Sequence, residues 1–152
     1  MRNVSSHVID STIGVAAGSA NARAEFNVFV TGYGYDAEGK NWRASGNFWN
    51  VLPDGMTSAD MNLLNDGLQM GDGYLECGRN DSGIIVGTDG DGVNDADEGN
   101  IFGGLALGRG VMMDLYSFAT GAGTNIVIAG NYFGVAVDGV TRFTNSCTIV
   151  NS

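Results

Sequence analysis

Basic residues and proline are scarce in this chain of 152 residues. It has one lysine, one histidine and one proline, and 7 Lys+Arg against 17 Asp+Glu give a formal net charge of −10. Because no basic stripe is present to neutralise phosphates, the composition argues against nucleic acid as a partner. The same charge would be repelled by an anionic membrane and would attract divalent cations, so cations are the expected partner.

Cysteine and long apolar runs are also scarce. The only two cysteines, Cys77 and Cys147, are too few and too far apart to define a disulfide framework or a zinc site, and we interpret both as buried small residues. No apolar run approaches the roughly 18 residues of a membrane span, so no membrane insertion is expected. The first residues have no uninterrupted apolar core and predict no signal peptide. The closing SCTIVNS resembles a strand without a cap, which favours an excerpt of a longer protein.

Glycine and short strand-like segments are abundant. The chain contains 25 glycines, while charged residues are only 16% of it, compared with roughly 25% in an average globular domain. Strands are predicted at EFNVFV (25–30), GIIVG (83–87), NIVIAGNYF (125–133) and CTIV (147–150), because these are rich in β-branched or aromatic residues and bounded by turn residues. Residues 58–70 predict one short helical insertion, with Ser58 as a candidate N-cap.

An internal repeat gives the strongest indication of the fold. The segment GNFWNVLPDGMT (46–57) matches GNYFGVAVDGVT (130–141) at six of twelve positions. GNIFG repeats the opening from Gly99, and GYDAEGKN (34–41) and GTDGDGVN (87–94) are interpreted as relatives of the closing turn. A unit of one short strand followed by a sharp glycine turn is typical of stacked repeat proteins.

These repeats resemble those of the right-handed parallel β-helix family, the pectin-lyase-like solenoids of bacterial surface and secreted proteins. TNIVIAGNYFGVAVDGVT carries the resemblance, and GTDGDGVNDADEGNIFGG is similar to the family's long-turn variant. The resemblance implies an all-β right-handed solenoid in which Asn47, Asn100 and Asn131 stack on one another. Residues 1–152 are expected to form a single domain of this kind, with repeat-like coils over 46–152 and no recognisable repeat in 1–45.

The segment TDGDGVNDADEG (88–99) is the strongest candidate for a binding site. Its five carboxylates lie within ten residues: Asp89, Asp91, Asp95, Asp97 and Glu98. Hard oxygen ligands in a glycine-rich loop suit calcium, which tolerates irregular geometry. The pattern departs from the EF-hand consensus and is similar to the calcium loops of thrombospondin type 3 repeats. The alternative is a solvated acidic loop without an ion.

The function expected from the resemblance is a non-catalytic β-helix module of a secreted or cell-surface protein, which displays an elongated acidic surface stabilised by calcium. Its partners would be polysaccharides or other surface proteins, and open solenoid ends would favour end-to-end self-association of a fragment. The alternative is a carbohydrate-active enzyme, a polysaccharide lyase or glycoside hydrolase. We expect no catalytic residues, because the only histidine, His7, lies in the unmatched stretch and the arginines are scattered singly. A third alternative is an independent small β protein.

Overall fold

The computed structural model describes residues 4–30, 35–59, 75–77, 82–103, 109–113, 124–143 and 148–151, and all statements below refer to these. They contain 13 strands, one 3-10 turn at Ala22–Ala24 and one short helix, α1, at Asp95–Glu98. The strands are β1 (Val4–Ile9), β2 (Thr12–Gly14), β3 (Val28–Phe29), β4 (Tyr35–Lys40), β5 (Arg43–Ser45), β6 (Phe48–Trp49), β7 (Leu75–Cys77), β8 (Ser82–Gly87), β9 (Ile101–Phe102), β10 (Arg109–Met113), β11 (Thr124–Ala129), β12 (Tyr132–Phe133) and β13 (Thr148–Asn151). The all-β class is therefore confirmed.

The strands form three ladders in which the pairing is parallel throughout. The first ladder stacks β1, β4, β7, β10 and β13 in chain order. The second stacks β2, β5, β8 and β11, and joins the first through the pairing of Lys40 with Ser82. The third stacks β3, β6, β9 and β12 as a separate sheet. Each run of three consecutive strands thus adds one layer, with one strand in every ladder.

The first layer includes the part of the chain where the sequence reveals no repeat. Val28 pairs with Phe48 and Thr12 pairs with Arg43, so β2 and β3 take the same register as the strands above them. The repeat signal is missing there because Phe26, instead of glycine, precedes Asn27.

The main core lies between the second and third ladders of the two middle layers. It consists of Trp42, Ala44, Trp49, Ile84, Val86 and Phe102, all 1% exposed or less. The equivalent residues of the first and fourth layers, such as Ile13 and Ile128, are only partly buried against this cluster. Burial therefore peaks in the middle of the stack and declines toward both ends, as expected when each layer covers its neighbours.

A left-handed bend separates the first ladder from the second in four successive layers. The residues at this bend are Asp10, Asn41, Gly83 and Asn125, with φ of 48°, 52°, 68° and 57°. Aspartate, asparagine and glycine are the residues that adopt this conformation at lowest cost. The side chains of adjacent layers also meet there, because Asn41 Nδ2 donates to Asp10 Oδ1 at 3.1 Å.

A second bend, between the second and third ladders, requires glycine for a steric reason. At Gly87 the backbone has φ of 97°, and a β-carbon would collide with the carbonyl oxygen of Ala129 in the next layer. Gly14, with φ of 93°, would collide in the same way with Ser45 of the layer above it. Glycine at this bend therefore allows successive layers to approach at the spacing of paired strands.

The two copies of the twelve-residue repeat form the same turn. Asp54 accepts hydrogen bonds from the backbone of Met56 and Thr57 and from the Thr57 hydroxyl, at 2.9, 2.9 and 2.7 Å. Asp138 accepts the same three bonds from Val140 and Thr141, at 2.9, 2.8 and 2.7 Å. The turns also touch, because the Val137 amide donates to the Gly55 carbonyl at 3.0 Å. The predicted equivalence of the two segments is therefore confirmed.

These turns make stability depend on acidity. The hydroxyl of Thr141, followed by two backbone amides, holds the pKa of Asp138 below its ordinary value. Such a carboxylate stabilises the fold fully above its unfolded pKa, and the contribution is lost as the pH falls through the lowered folded pKa. We expect Asp138→Ala to lower the melting temperature by a few degrees at neutral pH and by less in strong acid, measured by circular dichroism. An equal loss at every pH would contradict this assignment.

One of the predicted turns is wrong. GYDAEGKN is not a relative of the closing turn, because Tyr35–Lys40 is strand β4 and pairs with β1 along its whole length. At the start of the predicted helical insertion, Ser58 forms an antiparallel bridge with Val51, and the next residue, Ala59, donates to the Asn50 carbonyl at 2.9 Å. The rest of the predicted helical insertion, residues 60–70, lies outside the described residues. Among those described, no helix is long and apolar enough to cross a membrane.

Candidate functional site: the acidic loop over the second ladder

The acidic loop, residues 88–98, follows β8 and lies against two lower layers. The Gly46 amide donates to the Glu98 carbonyl at 2.6 Å, and Asn94 Nδ2 donates to the Ser19 carbonyl at 2.6 Å. Asn94 itself has a left-handed backbone, with φ of 63°, and directly precedes the short helix α1. The loop thus packs over Arg43 on the outer side of β5.

Three of the five predicted ligands meet at the loop's outer end. Carboxylate oxygens of Asp89, Asp91 and Asp95 all lie within 4.8 Å of one another. Asp91 is exposed, and the other two are half-buried. Three carboxylates that converge in this way supply several oxygen ligands at one point, which is the donor set that calcium prefers.

Hydrogen bonds within the loop already fix the directions of these carboxylates. Asp95 accepts from the Thr88 hydroxyl at 2.6 Å and from the Gly92 amide at 3.1 Å. Asp91 accepts from the Val93 amide at 2.7 Å. The loop therefore has a defined conformation supported by its own backbone, and each carboxylate keeps further lone pairs for a ligand.

The fourth acid, Glu98, is separated from this group by a buried ion pair. Glu98 is fully buried, and its Oε1 lies 3.0 Å from Nη2 of Arg43, which is itself 7% exposed. Arg43 also donates from Nη1 to Asp89 Oδ2 at 3.2 Å and from Nε to the Ser45 hydroxyl at 3.1 Å. The guanidinium group therefore joins β5 to both ends of the acidic loop.

The fifth acid, Asp97, lies on the surface and contacts another arginine. Its Oδ1 accepts a hydrogen bond from Arg23 Nε at 3.1 Å, and the Arg23 side chain is 87% exposed. Five carboxylates against two guanidinium groups leave three negative charges at the loop. Sequence reasoning missed both arginines, because they lie far from the loop along the chain and adjoin no recognisable motif.

A row of asparagines runs through the stack beside this loop. The asparagine row consists of Asn27, Asn47, Asn100 and Asn131, one from each layer. Each side-chain Nδ2 donates to the Oδ1 of the asparagine in the layer above, at 3.0, 3.1 and 2.8 Å. The predicted stacking of Asn47, Asn100 and Asn131 is confirmed, and Asn27 is an additional member. The row satisfies backbone groups as well, since Asn100 Nδ2 donates to the Ala44 carbonyl at 2.8 Å.

The residue two positions after each asparagine forms a parallel row of rings. In this aromatic row Phe29, Trp49, Phe102 and Phe133 stack with centroid distances of 4.1, 5.8 and 5.0 Å and interplanar angles of 13° or less. The other tryptophan, Trp42, is buried as well, since only 1% of it is accessible.

A groove of about 460 Å³ lies on the outer side of the third ladder. Phe26 stacks on Phe48 in its wall at 4.9 Å, and Tyr132 faces them from the fourth layer. The ion pair of Arg23 and Asp97 also lines this groove. The groove is thus largely apolar, and its only described charges already neutralise each other.

Comparisons of the chain with protein-family models, with curated proteins and with solved structures found no match. The case for a function therefore depends on the geometry of the chain itself. Cys147 and the side chain of Cys77 lie outside the described residues, as does the side chain of His7.

Proposed function

We propose that this chain is a non-catalytic module of the right-handed parallel β-helix type, from a secreted or cell-surface protein. The observation that carries the proposal is the order of the three parallel ladders, each of which takes one strand from every successive layer. The asparagine and aromatic rows support it, because only a regular stack places equivalent residues directly above one another.

The second part of the proposal is that calcium stabilises the acidic loop. Calcium is bound by roughly six to eight oxygens in flexible geometry. The carboxylates of Asp89, Asp91 and Asp95 would be its protein ligands, while water would complete the shell. Asp97 and Glu98 would contribute to the field of the site without coordinating the ion, because their carboxylates lie outside the converging group and contact Arg23 and Arg43.

Isothermal titration with calcium tests this assignment. We expect one site with a dissociation constant between micromolar and millimolar, the range of loops with few charged ligands. Asp91→Asn should weaken binding at least tenfold, or by about 1.4 kcal/mol, because it removes a charged ligand at the exposed end of the group. The amide oxygen that asparagine carries at this position can still accept the hydrogen bond from the Val93 amide, so the loop conformation should be retained.

The matched control is Asp97→Asn, which removes the same charge from the same loop but leaves the three ligands in place. It should weaken binding by about twofold or less, since Asp97 is not one of the converging carboxylates and its charge is already paired with Arg23. Equal losses in the two variants would mean diffuse attraction of cations instead of coordination. An absence of binding at millimolar calcium would eliminate the site.

The enzyme alternative has less support from the described residues. Catalysis in a stack of this kind would need acidic and basic groups from neighbouring layers on one accessible face. The basic and acidic groups that different layers bring together in the described part of the chain are Arg23 with Asp97, which pair with each other on the surface, and Arg43 with Glu98 and Asp89. Arg43 and Glu98 are buried against each other, so they are inaccessible to a substrate and instead hold the loop on the layers below.

A further inference from the structure

The groove on the outer side of the third ladder takes no part in the proposed calcium site. Its volume is about 460 Å³, and pockets of about 300–1,000 Å³ are typical of sites for single small molecules. It runs across the side of the stack, where successive layers contribute Phe26, Phe48, Ile101 and Tyr132 to its floor. Layers added above or below the stack would therefore not cover it.

The accessible part of the floor consists mainly of aromatic rings. Phe26 and Phe48 stack with their centroids 4.9 Å apart, and both are half-buried, as is Tyr132. Ile101 is only 1% exposed, because Phe48 and Tyr132 pack against the cluster to which it belongs. A ligand in the groove would thus contact rings, and aromatic rings favour another ring that can stack on them or meet them edge to face.

Both walls of the groove are held in place by hydrogen bonds. One wall is the helix α1, which contributes Ala96, and the preceding residue Asn94 donates from Nδ2 to the Ser19 carbonyl at 2.6 Å. The opposite wall is Val137, whose amide donates to the Gly55 carbonyl at 3.0 Å. The groove is therefore formed before a ligand arrives, and little protein conformational entropy would be lost on binding.

One polar atom of the groove is available to a ligand. The Oδ1 atom of Asp97 accepts a hydrogen bond from Arg23 Nε at 3.1 Å, whereas its Oδ2 accepts none from the described residues. Because the carboxylate lines the groove, Oδ2 can accept a hydrogen bond from a hydroxyl group. The Arg23 guanidinium balances the charge of Asp97, so the groove favours an uncharged donor over a cation.

We propose that this groove binds one uncharged aromatic molecule that carries a hydroxyl group. Its ring would pack on Phe48 and Tyr132, and its hydroxyl would donate to Asp97 Oδ2. The apolar surface of the ring supplies the affinity, while the hydroxyl fixes the orientation, as the few polar groups of a largely apolar pocket usually do.

Other occupants fit the groove less well. A sugar would bring many hydroxyl groups to a mostly apolar lining, and buried hydroxyls without partners cost free energy. An anion would be repelled by the acidic loop beside the groove, which keeps three negative charges after pairing with its arginines. A folded protein partner would need about 800 Å² of surface on each side, more than a cleft for one ring provides.

The inference goes beyond the proposed calcium site and does not depend on it. Asp91 is one of the three proposed ligands and lines no part of the groove. Asp91→Asn should therefore lose calcium affinity but bind the aromatic molecule as the unchanged chain does. The two proposals can fail separately.

The probe is 2-naphthol, whose fluorescence can be excited where tryptophan absorbs little. We expect saturable binding to the 152-residue chain in the micromolar to millimolar range, measured by fluorescence anisotropy. The control probe is 2-methoxynaphthalene, which keeps the rings but lacks the hydroxyl donor. It should bind at least fivefold more weakly, because it cannot donate to Asp97.

Two tryptophan substitutions in the acidic loop locate the bound probe. Ala96 is exposed and lines the groove, so Ala96→Trp should fill it and weaken 2-naphthol binding at least tenfold. The matched control is Val93→Trp, at an exposed position of the same loop outside the groove, which should change affinity by less than twofold. Circular dichroism checks that both variants fold, as expected for exposed positions.

Four results would overturn the proposal. They are equal losses in the two tryptophan variants, equal affinity of the two probes, displacement of 2-naphthol by millimolar cellobiose, and no saturable binding below millimolar concentration. The first would mean that the probe does not occupy the groove. The third would assign the groove to a sugar instead of an aromatic ring.

Discussion

Replacement of Glu98 by alanine is expected to lower the free energy of unfolding by about 3 kcal/mol, because it leaves a buried guanidinium without its main counterion. Glu98 is fully buried, and Arg43 is 7% exposed. Asp89 would remain near Arg43 at 3.2 Å, which keeps the expected loss at the lower end of the range for broken buried pairs. Urea unfolding followed by far-ultraviolet circular dichroism measures the change.

The matched control is Asp97→Ala, next to Glu98 in the sequence. Its partner Arg23 is largely exposed, so the loss should be below about 1 kcal/mol. The double variant Arg43→Met with Glu98→Leu removes both fully buried charges, and only the partly exposed Asp89 loses its partner, so most of the lost stability should return. If Glu98→Ala costs no more than Asp97→Ala, the buried pair does not attach the loop.

The second large effect is expected at the centre of the asparagine row. Asn100 accepts hydrogen bonds from the amide and the side chain of Asn47, and donates to Asn131 and to the Ala44 carbonyl. Asn100→Ala removes all four bonds and leaves buried donors on Asn47, so we expect a loss of about 3 kcal/mol or more. The same urea titration measures it.

The end of the row provides the comparison for this variant. Asn27 is exposed, and its side chain contributes one donor, to Asn47 at 3.0 Å. Asn27→Ala should therefore cost about 1 kcal/mol. Similar losses at Asn27 and Asn100 would show that the row does not act through its buried bonds.

The fold was predictable where the same residue type makes the same contact in successive layers. The asparagine bonds to an asparagine in the next layer, the aromatic ring two positions later stacks on another ring, and the aspartate turn repeats with the same hydrogen bonds. The resulting pattern is local, so it can be read without knowledge of the fold. Asn27 was missed because Phe26 precedes it, whereas a glycine precedes each of the other three asparagines.

The candidate site was predictable only in part, for the opposite reason. Local density of carboxylates indicated the loop, and three of them do converge. The roles of Asp97 and Glu98 depend on Arg23 and Arg43, which approach only when the loop folds over the lower layers. A contact between residues so distant in sequence leaves no periodic signal. The burial of Trp42 by neighbouring layers leaves none either.

The positions of the two tryptophans determine which part of the structure their fluorescence reports during unfolding. Trp42 and Trp49 are the only indoles in the chain, and both belong to the buried cluster of the middle layers. Their fluorescence therefore reports the centre of the stack, whereas the far-ultraviolet signal sums over every strand. Fraying from either end would reduce ellipticity before the indole emission shifts, so the separation of the two curves would measure how far the layers melt independently.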